Sequence, residues 1–161
     1  SNIPNFNEKV ILSTSKEDKR LLLWDDTNRC IIYTYEDSNI KTYVPNNKLL
    51  VVGDELYSEY IIALQENKSL ITIWKTNATE SAIRSAPIDE RITCINLTNN
   101  NKLMLLGTET GNLFLSELFT GNIIGLQVSG EKVLSVKTLL RESSYVLCIC
   151  KDYIKTFFLE K

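Results

Sequence analysis

The sequence predicts an all-β chain built from repeated four-stranded antiparallel sheets, and three observations carry that prediction. The stretch Ile92–Val128, ITCINLTNNNKLMLLGTETGNLFLSELFTGNIIGLQV, holds four short apolar runs separated by three clusters of turn-forming residues. Similar runs bounded by Asn, Asp, Gly, Pro or Ser recur along the rest of the chain. No part of the central stretch has the 3.6-residue period of an amphipathic helix.

Within that stretch Ile92–Leu97 is followed by Thr98-Asn99-Asn100-Asn101, and Leu103–Gly107 leads to Glu109-Thr110-Gly111. Asn112–Leu118 then stops at Phe119-Thr120-Gly121, and the last run is Asn122–Val128. Asn and Gly suit these breaks because both accept positive φ, and Asn also hydrogen-bonds its own neighbouring backbone. Short strands joined by short turns form a meander, in which strands adjacent in sequence are adjacent in space.

The other elements follow in order. Val10–Thr14, Arg20–Trp24 and Cys30–Tyr35 read as three strands separated by Ser15–Lys19 and Asp25–Asn28. Ile40–Val44 is broken by Pro45-Asn46-Asn47 and resumes at Leu49–Gly53; Pro45 has no ladder N–H to donate and marks a turn. Asp54–Glu59 is a polar excursion, after which Tyr60–Leu64 and Ser69–Trp74 pair across Gln65–Lys68. Ala82–Ala86 is a short strand before Pro87. Beyond the centre, Glu131–Leu140, Tyr145–Cys150 and Tyr153–Leu159 give three strands and no fourth.

A length of 161 residues with 43% hydrophobic side chains suffices for one domain with a substantial core. The net charge of −2 and pI near 5.3 argue against direct nucleic-acid binding, which relies on a basic face. No apolar segment of about 18 residues is present to span a membrane as a helix, and no charged-then-apolar leader marks secretion, so the expectation is a protein that is intracellular, cytoplasmic unless a family resemblance places it elsewhere, or one that has lost its leader. Cys30, Cys94, Cys148 and Cys150 lie inside apolar runs; Cys148 and Cys150 are two apart, share one strand face, and read as small core residues. The sequons at Asn67, Asn77 and Asn96 would matter only in the secretory pathway.

Catalytic chemistry finds little footing. The chain has no His, which removes Ser–His and Cys–His nucleophile pairs and leaves the cysteines without a fourth zinc ligand. The acidic pairs Asp25-Asp26, Glu36-Asp37 and Asp89-Glu90 fall at turns, where adjacent side chains diverge and solvent keeps both ionised. Gly107–Gly111 precedes a strand and lacks the Lys-Ser/Thr of a phosphate loop, so its glycines read as turn residues. No catalytic residue, cofactor site or metal site is expected.

A repeat does emerge. Aligning RLLLW, LITIW, LFLS and IKTFF as the third strand of each set, on their last bulky position, places Trp24, Trp74, Ser116 and Phe157 at intervals of 50, 42 and 41 residues. The last two match a propeller blade of roughly 40–45 residues. LWDDTN at 23–28, IWKTN at 73–77, the turns Gly107–Asn112 and Glu117–Asn122, and Asp152 before Tyr153 together resemble the WD-repeat family. The resemblance implies a WD-type β-propeller, here a partial ring of three to four four-stranded blades over about 9–37, 40–87, 92–128 and 133–161. Departures are clear: the family's Gly-His pair is missing, Ser116 and Phe157 replace Trp, and the first blade lacks an opening strand. The Asp–His–Ser–Trp hydrogen-bond network of strong WD blades is therefore ruled out, and the blades are expected to hold mainly by packing. Trp24 and Trp74 read as core anchors.

Within that family the order of features is similar to the amino-terminal half of the WD-repeat subunits of the rixosome, a nuclear complex acting on large-subunit pre-ribosomes. Those features are a short first blade, the divergent LLVVGDELYSEYIIALQENKSLITIW, and the better-kept blade at Ile92–Val128. The resemblance implies a non-enzymatic scaffold that docks protein partners in a multisubunit nuclear or nucleolar complex, meeting the pre-ribosomal particle through that complex. An adaptor of another intracellular complex is one alternative. Another is a stand-alone small propeller or sandwich holding a small ligand or carbohydrate near Trp24 or Trp74. Propellers bind through rim loops and exposed outer strands. The irregular loops direct attention to Asp54, Glu55, Tyr57, Glu59, Lys75, Asn77, Asp89, Glu90 and Arg91 as partner contacts.

Overall fold

The computed structural model describes residues 10–15, 20–25, 30–34, 40–43, 49–53, 60–65, 70–75, 81–85, 88–98, 103–139 and 142–159. The fold is all-β. The first sheet comprises β1 (Val10–Ser15), β2 (Arg20–Asp25), β3 (Cys30–Thr34) and β4 (Ile40–Tyr43). The second comprises β5 (Leu49–Val52), β6 (Tyr60–Gln65), β7 (Leu70–Lys75) and β8 (Ser81–Ser85). The third, β9 (Ile92–Leu97), β10 (Leu103–Thr108), β11 (Asn112–Glu117) and β12 (Ile123–Val128), is the stretch that predicted the fold. The last has three described strands, β13 (Ser135–Leu139), β14 (Glu142–Ile149) and β15 (Ile154–Phe158). Every pairing is antiparallel between consecutive strands, so each sheet is a meander and none shares a strand with another.

Two expectations need correction. The sequence places Ile40–Val44 in the second blade, but β4 completes the first sheet, pairing Ile31 with Tyr43 and Thr34 with Ile40. The boundary between sheets thus falls between Tyr43 and Leu49, and the first sheet does not lack a strand. Apolar runs locate strands, but two equally polar breaks, Glu36–Ser38 and Pro45–Asn47, do not say which one changes sheets. RLLLW is likewise a second strand, β2, and not a third. The true third strands begin at Cys30, Leu70, Asn112 and Ile154, 40, 42 and 42 residues apart, and the outlying interval of 50 disappears. A smaller difference concerns Glu131–Leu134, which precede β13 and join other elements through Val133 N–H to Thr108 O (3.0 Å) and Leu134 N–H to Ile149 O (2.8 Å).

The sheets stack on one another through three apolar seams. Tyr43 of the first sheet packs with Leu49, Val52, Ile61, Ala63 and Trp74 of the second; the Tyr43 and Trp74 rings are 5.9 Å apart. Between the second and third sheets lie Ile62, Leu64, Ile71 and Ile73 against Ile95, Met104, Leu106 and Leu118. The third and fourth meet through Leu105, Leu113 and Leu115 against Val136, Val146 and Cys148. Successive strand side chains point to opposite faces, so Leu105 enters one seam and Leu106 the other. That two-sided burial explains why β6 and β10 read as continuous apolar runs and not as an alternation. Each large side chain fully buried in a seam contributes about 2–5 kcal/mol by the cost of truncating it to Ala.

Polar bonds reinforce the third seam. Inner strand β9 lies against β5 and β6 on one side and β13 on the other. From it Asn96 donates its amide to Val136 O at 2.6 Å, and the Thr93 hydroxyl meets the Val133 carbonyl. Asn96 is buried, so its sequon is closed to modification in the folded chain.

Candidate interaction surface

Antiparallel pairing brings the start of β9, the end of β10, the start of β11, the end of β12 and the start of β13 to one end of the sheets. Three connections gather there: residues 88–91, the turn 109–111, and residues 129–134. The turn needs Gly111, which has φ 91° and lies where a Cβ would come within 2.7 Å of the Glu131 backbone nitrogen. Gly107, expected in a turn, instead lies inside β10 at a point of close sheet approach.

Glu90 ties the first connection to the turn. Its carboxylate accepts hydrogen bonds from the Thr108 hydroxyl (3.2 Å), the Thr110 hydroxyl, and the Asn112 amide at 2.9 and 3.1 Å to its two oxygens. The Thr110 bond does most to hold this carboxyl below its ordinary pKa of 4.5 against the opposing effect of burial, with smaller help from Asn112 and Thr108. Arg91 extends the link: its carbonyl accepts from Glu109 N–H at 3.0 Å and its guanidinium lies 3.4 Å from the Glu109 carboxylate. The expectation of blades held mainly by packing is thus incomplete, because a carboxylate before β9 collects donors from the turn without any His.

The next connection uses different chemistry. The Ser129 hydroxyl lies 2.7 Å from Gly111 O and 2.9 Å from Glu131 O, and the Tyr153 hydroxyl donates to Ser129 O. Behind them Cys94, Cys148 and Cys150 are buried free thiols. Burial, with Cys150 alongside, pushes the Cys148 thiol up to about 11, which keeps it protonated and unreactive at neutral pH.

Between these connections opens a cleft of about 950 Å³, lined by Leu50 of β5, Ile88, Asp89, Arg91, Lys132 and Leu134 among others. Leu50 and Leu134 are exposed apolar side chains from the second sheet and from the approach to the fourth, and Asp89 and Lys132 are exposed charges on the rim. The cleft therefore offers apolar anchoring within a ring of both charge signs. Of the residues singled out by sequence, Asp89, Glu90 and Arg91 line it. Lys75 is exposed but closes β7 at the opposite end of the second sheet, away from the cleft. Asp54, Glu55, Tyr57, Glu59 and Asn77 lie outside the described residues. Sequence reasoning missed Leu50, Lys132 and Leu134. A Leu in or beside an apolar β run reads as core, and only the stacking of three sheets shows that these two face outward.

Among the described residues no group of three or more His, Cys, Asp or Glu side chains is placed to hold a metal. Trp74 is 2% exposed, so its ring offers no platform to a small ligand. The Trp24 side chain lies outside the described set.

Sequential four-stranded meanders stacked face to face define the chain as part of a β-propeller. No family model matches it, and no curated protein matches it. Among solved structures it is similar to the β-propeller domain of Cps50 (Swd1) from Myceliophteria thermophila, with a TM-score of 0.73 and 16% identity over 92% of this chain. The chain spans 51% of the length of that structure, so it corresponds to about half of such a ring. At this identity the likeness is one of fold.

Proposed function

We propose that the chain is the propeller part of a non-enzymatic scaffold that binds protein partners through the cleft at Leu50, Asp89, Lys132 and Leu134. The observation that carries this reading is the pair of exposed leucines set among charges at one rim, a combination suited to anchoring an apolar side chain and steering its charged neighbours. The test is partner capture by the intact protein carrying a photo-crosslinking residue at Leu134. Specific adducts that Leu50→Asp abolishes support the reading; an adduct pattern unchanged by Leu50→Asp overturns it.

The finer assignment we propose is a subunit of a nuclear complex acting in large-subunit ribosome assembly. It is supported by the order of blades in the sequence, with a divergent second blade before the better-kept third. Affinity purification of the tagged protein from its own cells should recover pre-ribosomal proteins. Recovery of a different assembly removes this assignment while leaving the scaffold reading in place.

A further inference from the structure

We propose that β12 is a self-association strand through which two copies of the chain join edge to edge. β12 is paired to β11 on one side, and among the described strands nothing pairs with its other side. Natural edge strands are usually blunted by charge. Of the last strands of the sheets, β4 carries Lys41, β8 carries Arg84 and β15 carries Lys155, whereas β12 is IIGLQV, without a charge or a proline; the first strands β1, β5 and β9 are likewise uncharged.

Its side chains fit the same purpose. Ile124, Leu126 and Val128 alternate onto one face and are 54%, 50% and 61% exposed. The backbone is oriented to match. Ser129 N–H donates to Gly111 O at 2.8 Å, and continuing the antiparallel alternation from that bond turns the amides and carbonyls of Leu126 and Val128 away from β11. The Val128 carbonyl indeed meets the Lys155 ammonium at 3.4 Å and not a strand partner.

The occupant follows from the strand itself. Two antiparallel copies centred on Leu126 place Leu126 opposite Leu126 and Ile124 opposite Val128. All six apolar side chains then share one face, and the outward backbone groups bond in pairs. No like charges are opposed, since β12 has none, and the chain's net charge of −2 adds little repulsion. The interface is isologous and closes as a dimer. Lys155 must release the Val128 carbonyl, which an exposed and flexible side chain does readily.

The test is light scattering on the purified chain together with oxidative crosslinking. A concentration-dependent dimer is expected, weakened at least tenfold by Leu126→Lys with the circular dichroism spectrum and melting temperature unchanged. A Leu126→Cys chain should form a disulfide dimer on mild oxidation, and a Gln127→Cys chain, whose side chain points to the other face, should not. A chain monomeric at all concentrations, a dimer indifferent to Leu126→Lys, or equal crosslinking at 126 and 127 overturns the proposal.

Discussion

The buried side chain of Asn96 donates to the carbonyl of Val136 at 2.6 Å, joining the inner strands of two adjacent sheets. Replacing Asn96 with Ala leaves that buried carbonyl without this donor. The expected cost is about 1–3 kcal/mol, read as a lower urea midpoint.

Gly107 is required by the same seam. A Cβ there would sit 2.5 Å from Cys94 Sγ and 2.6 Å from Val133 Cγ1, well inside van der Waals contact. Gly107→Ala should destabilise by about 1–3 kcal/mol, and pairing it with Val133→Ala should recover part of the loss, which a double-mutant cycle in thermal unfolding measures.

Glu90 makes stability depend on acid. Its folded pKa lies below the unfolded value of 4.5, so its contribution is complete above 4.5 and is lost as pH falls through the folded value. Glu90→Gln keeps part of the hydrogen bonding but not the charge. It should cost about 1 kcal/mol at pH 7, a figure kept low by partial exposure, and should flatten the pH dependence below 4.5 in thermal scans.

Ser116 is fully buried and its hydroxyl has no hydrogen-bond partner among the described residues. Ser116→Ala removes that unpaired group and should be neutral or stabilising by up to about 1 kcal/mol, in contrast to most core truncations.

Cys148 should resist alkylation in the native state at pH 7–8, because burial keeps its thiol protonated with a pKa near 11. Its labelling should appear only with unfolding, as peptide mapping before and after denaturant would show.

Much of this fold was readable from residues alone. Apolar runs and turn residues marked all fifteen strands of the described residues to within a few positions, and those buried on both faces, such as β6 and β10, announce themselves most clearly by composition. Their grouping into sheets was not so marked: Ile40–Tyr43 could join either neighbour, and only pairing with Cys30–Thr34 decides it. The interaction surface was half readable. Asp89, Glu90 and Arg91 drew notice as an irregular charged loop, but the internal role of Glu90 depends on Thr108, Thr110 and Asn112 arriving from a turn about twenty residues away. Leu50 and Leu134 carry no local sign at all, since exposure at a seam's mouth is a property of stacked sheets.

The polar bonds from Thr93 to Val133 and from Asn96 to Val136 each span 40 residues of chain, close to the length of one repeat. Every such bond therefore ties a blade only to its successor, and the molecule behaves energetically as a short linear array of modules with nearest-neighbour coupling. Weakening one seam should divide unfolding into separate blocks on either side of it. Native-state hydrogen exchange of an Asn96→Ala chain would then resolve the last sheet as an early-opening unit, loosened while its neighbours stay closed.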